Sequence, residues 1–318
     1  MSFLRTVLGD VSAEDAGWCY AHEHLIIDRG YVTENYPDFR LDSADLAAQE
    51  LANFRAAGGS TLVDSMPCDC GRNALKMAEV ARLAGVNIVM PTGAHLARYY
   101  PPAHWSETYS EAACAELFQA DIEEGVDAGD YGGPKVERTP HRAGVIKVAS
   151  GGDALDERER KLFRSAAAAQ RRTGAPILTH TEKGAAALEQ VEVLRDAGAD
   201  IAHVVLSHTD RHPDPDYHRE ILATGVRLEY DAAFRWKEGN PTRDLLVDLL
   251  PEFPEQLMLG MDAARRGYWR VYSGAPGMDY LLATFLPELR EAGCAEDRLR
   301  ALFVDNPAAA YAFIPNPR

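Results

Sequence analysis

The sequence predicts an α/β protein of the (β/α)8 TIM-barrel class. The chain has 318 residues, and such a barrel needs about 250. Eight short apolar runs recur along it: "GWCYAHEHL", "STLVDSM", "NIVMPTG", "AGVIKVAS", "APILTHTE", "AHVVLSH", "GVRLEYD" and "QLMLGMD". Between them lie segments such as "SADLAAQELANFRAAG", "NALKMAEVARLAG" and "DERERKLFRSAAAAQRRTG". These are rich in Ala, Leu and Glu, carry apolar residues at helical spacing, and close on Gly, a common helix stop. Strand and helix alternating eight times reads as a parallel barrel jacketed by helices. No Ser/Gly linker or low-complexity tract divides the chain, so residues 1–318 read as one domain.

Composition narrows the function. The net charge is −16, with 46% hydrophobic residues. A chain so acidic lacks the basic footprint that nucleic acid or an anionic membrane surface demands. Cysteines stand at 19, 68, 70, 114 and 294. An odd count without framework spacing points to reduced thiols and a cytoplasmic setting. The start, "MSFLRTVLGDVS", carries no apolar core of a secretory signal. No apolar stretch approaches the roughly 20 residues that span a bilayer. The partner expected is therefore a small molecule.

In the first run, His22 and His24 stand two apart on a strand, so their side chains point the same way. That parity suits two imidazoles on one metal, and it turns Glu23 to the opposite side. Lys147 sits inside the fourth run. His180 closes the fifth, His208 the sixth and Asp262 the eighth. Barrel active sites lie at the C-terminal ends of the strands. Each residue has an ordinary structural reading: a satisfied strand-end His, an Asp capping a helix. A Lys inside a parallel barrel strand is harder to explain, because a bare buried ammonium is costly. The meeting of all six at one rim favours a metal site. The least regular stretch, 97–143, is rich in Pro, Gly and aromatics. It reads as a long loop, a helix and an irregular return, of the kind that borders active sites.

"HEHL", "GVIKVA", "THTE", "LSHTD" and "GMD", with "CGRN" at 70–73, resemble the phosphotriesterase-like family of the amidohydrolase superfamily. The resemblance runs from "TVLGDV" to "DNPAAAYAF"; 126–142 departs from it by extra residues. It implies two divalent ions. His22, His24 and Asp262 would hold the more buried one, and His180 and His208 the more exposed one. Lys147, carboxylated by CO2, would bridge both. Zinc suits this donor set, with Mn, Co or Fe as alternatives. A hydroxide activated by both ions would be the nucleophile, with Asp262 as its proton acceptor. The resemblance also implies a homodimer.

His95 or Tyr99, after the third run, is expected to line the pocket. His203 lies at the far end of the sixth strand and reads as structural. His104, His141, His212 and His218 read as loop or surface residues. Cys68 and Cys70 read as free thiols near the site. Trp105 and Tyr100 either form a lid or pack the long loop.

The loops after the seventh and eighth runs are locally basic. "AAFRWKEGN" supplies Arg235 and Lys237, and "MDAARRGYWRVYSG" supplies Arg265, Arg266 and Arg270 beside Tyr268 and Tyr272. Barrels of this class often bind phosphate there, and Arg grips phosphate or carboxylate bidentately. Lys237, Arg265 and Tyr268 are the first candidates for an anion clamp. They also resemble the phosphate-gripping positions of sugar-lactone-phosphate hydrolases in the family. The leading expectation is a metal-dependent hydrolase opening a lactone, with an anionic, phosphorylated sugar lactone as substrate. Organophosphate triesters and other carboxylic esters are alternatives. N-acyl-homoserine lactones fit less well, because the loops are charged where an acyl chain needs an apolar channel. A mononuclear deaminase would not need Lys147. A non-catalytic barrel would not need the full donor set.

Overall fold

The computed structural model describes residues 2–314. All eight runs become barrel strands. They are β3 (Trp18–Glu23), β4 (Gly59–Asp64), a third strand in two pieces, β5 (Asn87–Val89) and β6 (Pro91–Gly93), then β7 (Val145–Ala149), β8 (Ile177–His180), β9 (Val204–Ser207), β10 (Arg227–Tyr230) and β11 (Leu257–Leu259). Neighbours pair in parallel throughout. The third strand breaks at Met90, because Pro91 has no N–H to give to the ladder. β5 pairs back to β4 and β6 forward to β7. Closure comes between the last strand and the first: the N–H groups of Met261 and Asp262 both donate to the His22 carbonyl at 3.1 Å.

The helices outside are α1 (Tyr31–Asn35), α2 (Ala44–Ala56), α3 (Ala74–Ala84), α4 (Trp105–Thr108), α5 (Glu111–Glu123), α6 (Glu157–Thr173), α7 (Ala187–Asp196), α8 (Pro215–Leu222), α9 (Pro241–Leu249), α10 (Leu286–Glu291), α11 (Glu296–Arg300) and α12 (Asn306–Tyr311). Their ends follow local chemistry. Ser43 and Asn73 accept from the N–H of Leu46 and Lys76 and start α2 and α3. Asp156 and Glu159 form a reciprocal capping box at α6. Gly85 and Gly174 end α3 and α6 in the left-handed conformation.

One element was not anticipated. β1 (Phe3–Thr6) and β2 (Gly9–Ser12) form an antiparallel hairpin, too short to show a period in sequence. Its Leu4 is fully buried with Cys19, Ala21, Val63, Val89, Val145, Leu178, Val205 and Met258, the apolar filling inside the barrel. The hairpin therefore plugs the end opposite the strand C-termini.

The stretch 97–143 holds α4, α5 and an irregular return, as expected. Arg72 ties that return down. It donates to Asp130 at 2.8 Å and to Asp121 at 2.9 Å. Tyr131 and Arg138 also bond Asp121, at 2.5 and 2.7 Å. Tyr100 is buried and packs the loop; its hydroxyl donates to the Cys68 carbonyl at 3.1 Å and accepts from the His95 N–H at 2.7 Å. Trp105 packs among His104, Tyr109, Phe118 and Tyr131.

Three histidines read as loop or surface residues are in fact buried: His104, His141 and His218. Each is used as a polar strut. His104 bonds Ser106 and Asp69, His141 reaches the Val7 carbonyl at 2.8 Å, and His218 spans Tyr230 and the carbonyls of Thr209 and His212. His104 and His141 do lie in loops, but paired imidazoles bury readily. His212 is exposed. No helix among the described residues is long and apolar enough to cross a membrane.

Candidate metal centre and its cavity

His22 and His24 project inward at the rim. Asp262 Oδ1 stands 3.1 Å from His24 Nε2 and 3.8 Å from His22 Nε2. These three donors lie close enough together for one ion. Across from them, the His208 ring is 4.8 Å from that of His22 and 4.5 Å from that of His180. Lys147 is buried in β7, and its Nζ has no hydrogen-bond partner. Burial pushes its ammonium down to about 8. His208 and Asp262 both adopt left-handed backbone, with φ of 69° and 48°. Such non-glycine strain gathers at functional sites.

The donor set fits a binuclear divalent centre. His24 Nδ1 and Lys147 Nζ are buried without hydrogen-bond partners, which is costly unless something completes them. Burial lowers His22, His95 and His208 well below the ordinary imidazole range and lowers His180 as well. Neutral imidazole is the ligand form.

Sequence reasoning missed the groups that orient these donors. Asp231 bonds His208 Nδ1, and Ser207 Oγ lies 2.8 Å from His22 Nδ1. Glu229 is fully buried 3.5 Å from His22 Nδ1, and Gly260 makes room for it. Arg211 binds Asp231 and also Asp262 Oδ2 at 2.6 Å, and Arg235 reaches the same Oδ2 at 3.1 Å. Burial alone would raise Asp262. The His24 hydrogen bond, Arg211 and Arg235 outweigh it and hold the carboxyl well below the usual range. Arg211 carried a faint signal, three residues past His208 in "SHTDR".

A cavity of about 230 Å³ opens over this centre. His95, Tyr99, Arg265 and Tyr268 line it, as do Arg98, Glu182, Arg211, Arg235 and Phe39. Lys237 does not; it is exposed, outside the lining. Its neighbour Arg235 takes the inward place. Arg235 Nη1 donates to Tyr268 Oη at 2.9 Å, and its guanidinium lies over the Tyr268 ring. Arg98 is paired with Glu182 at 3.0 Å. Arg265 lies over the Phe39 ring, 4.8 Å from its centroid. Among the described residues it is the cavity arginine with no carboxylate partner. Cys68 and Cys70 are free and buried, and burial pushes both thiols up.

Fold and donor set define a hydrolase barrel with a metal-type centre at its C-terminal rim. The chain belongs to the phosphotriesterase family, whose pattern matches residues 2–311. It is 33% identical over 324 residues to a phospho-furanose lactonase of Mycoplasmopsis synoviae, covering 98% of this chain and 92% of the relative. The structure of a lactonase from Listeria monocytogenes superposes with a TM-score of 0.90 at 28% identity, over 98% of this chain and 99% of that one. The phosphotriesterase homology protein of Escherichia coli, complexed with phosphate in its active site, superposes with a TM-score of 0.84 at 28% identity, over 93% and 99%.

Proposed function

We propose that this protein hydrolyses a lactone bearing a phosphate, a phosphorylated sugar lactone, at a binuclear metal centre. The observation that carries the reading is Arg265. Arg98, Arg211 and Arg235 each have a carboxylate partner, whereas among the described residues Arg265 has none and lies over the Phe39 ring. An unpaired guanidinium on a site wall is free to take a phosphate. The phospho-furanose lactonase relative and the phosphate-bound Escherichia coli relative support that substrate class.

His22, His24 and Asp262 would hold one ion, His180 and His208 the other, and carboxylated Lys147 would join them. Two divalent ions, when bound, supply Lewis acidity at the lactone carbonyl and an acidified water. The chain's own groups do the rest. Asp262 takes the proton of the attacking water, held in place by Arg211 and Arg235. Asp231 fixes the His208 ring so that Nε2 faces the site. His95 and Tyr99 pack the wall beside the ring of the substrate. Arg265 takes the phosphate, with Tyr268 beside it steadied by Arg235.

The test is a kinetic comparison of a phosphorylated furanose lactone with its unphosphorylated counterpart, together with metal analysis. Two ions per chain are expected. Arg265→Ala should raise KM for the phosphorylated substrate about tenfold or more relative to the neutral one. Equal effects on both, or a wild type that prefers the neutral lactone, would sink the phosphate reading. One firmly bound ion per chain would overturn the binuclear one.

A further inference from the structure

Glu50 lies in the middle of α2, a helix on the barrel's outer layer, yet it is fully buried. Both carboxylate oxygens are taken by backbone of the loop that follows β11. Oε2 accepts the Val271 N–H at 3.0 Å, and Oε1 accepts the Met278 N–H at 3.0 Å. Val271 is on the outgoing arm of that loop and Met278 on the returning arm. Between them the loop turns back on itself, with Gly277 N donating to the Tyr268 carbonyl at 2.9 Å. Glu50 therefore staples the two arms together from outside the loop. The stapled segment adjoins Arg265 and Tyr268, which line the cavity just before Val271, and is joined to Tyr268 by the Gly277 bond.

We infer that Glu50 is a positioning residue for the anion-gripping loop, setting how tightly the site discriminates a phosphorylated lactone from a neutral one. The inference rests on the phosphate-clamp reading above. Two physical points support it. Loop 265–278 has no regular strand or long helix of its own, only two short 3-10 turns, Arg266–Tyr268 and Arg270–Tyr272. Backbone bonds such as Gly274 N to the Trp269 carbonyl and Ala275 N to the Gly267 carbonyl hold its turns, and Glu50 ties them to the barrel's outer layer. Buried backbone N–H groups also need acceptors, and a buried charged acceptor bonds them more strongly than a neutral one. A loop so held keeps a guanidinium in one place, and a gripping group must be placed to within a fraction of an ångström to act. Of the site's metal donors only Asp262 leads into this loop, and Glu50's carboxylate bonds Val271 and Met278 rather than any of them.

The experiment compares wild type, Glu50→Gln, Glu50→Asp and Arg265→Ala, each with its full metal content. Glu50→Gln turns one acceptor into a donor facing an N–H; Glu50→Asp keeps the charge and shortens the reach. Hydrogen–deuterium exchange should quicken across 265–278 in both Glu50 variants while the barrel strands keep their protection. The KM ratio of neutral to phosphorylated lactone should fall about three- to tenfold, with kcat on the phosphorylated substrate moving less than KM. Unchanged exchange across 265–278 would overturn the anchoring. Faster exchange with an unchanged KM ratio, while Arg265→Ala collapses that ratio, would overturn the positioning role and leave the clamp standing. If Arg265→Ala itself leaves the ratio intact, the clamp reading fails and the positioning role fails with it. Should Glu50→Gln not fold, Glu50→Asp carries the same measurements.

Discussion

The carboxylate of Glu23 brackets Asp262. Oε1 accepts the N–H of Met261 at 2.9 Å and Oε2 accepts the N–H of Ala263 at 3.3 Å, one residue to either side. Glu23 faces away from His22 and His24, as strand parity requires, and spends its two carboxyl oxygens on the turn that carries Asp262. That turn needs support, because Asp262 sits at φ 48°. Glu23→Gln should weaken metal affinity about 10–100-fold, the usual effect of losing a group that orients a ligand. Competition with a chelator measures it. Unchanged affinity in a folded variant would show that the turn holds itself.

Asp231 joins His208 to Arg211, and Arg211 continues to Asp262. Asp231→Ala frees the His208 ring and removes one of the two carboxylates that hold Arg211. Metal affinity should fall by about 10–100-fold, again read by chelator competition. Full retention of both ions would contradict the role given to Asp231.

Asp262→Asn removes the proposed proton acceptor and weakens a proposed ligand at once. Lactone hydrolysis should drop by about a thousandfold, roughly 4 kcal/mol of transition-state stabilisation. The assay is kcat/KM with metal content matched to wild type. A variant that hydrolyses a panel of lactones and esters as well as wild type would refute the mechanism.

Lys147 costs the metal-free protein stability, since its ammonium is buried without a partner. Lys147→Met should therefore raise the melting temperature of the metal-stripped protein, by about 2 kcal/mol of stability, while abolishing the second metal. Calorimetry in chelator compares the two. A lower melting temperature for Lys147→Met would mean that the lysine is satisfied in some other way.

Arg72 holds Asp121 and Asp130 beneath the irregular return of 97–143. Arg72→Met leaves buried carboxylates short of a counter-charge. It should destabilise the fold by about 3 kcal/mol, measured by denaturant unfolding. A loss below about 0.5 kcal/mol, the range of ordinary surface changes, would show that Arg138 alone suffices for Asp121.

The eight strands and the faces of their histidines were readable in the sequence, because strand alternation and strand-end position are local properties. "HEH" fixes the parity of His22 and His24 by itself, and Gly after each helical run marks a real stop at Gly85 and Gly174. Lys147 stood out because an amine in a buried strand has no cheap local explanation. What only the tertiary structure decided are pairings between residues far apart in the chain. Glu23 meets the turn 261–263 only when the barrel closes between its last and first strands. Glu50 meets Val271 and Met278 across more than two hundred residues. Arg235 rather than Lys237 enters the cavity because the loop after β10 turns its side chain onto Tyr268 and Asp262. His104 and His141 lie in loops as expected, but their burial, like that of His218 on α8, depends on which distant carbonyl or carboxylate the fold brings to the ring. Periodicity is written along the chain, but hydrogen-bond satisfaction is a property of the closed barrel.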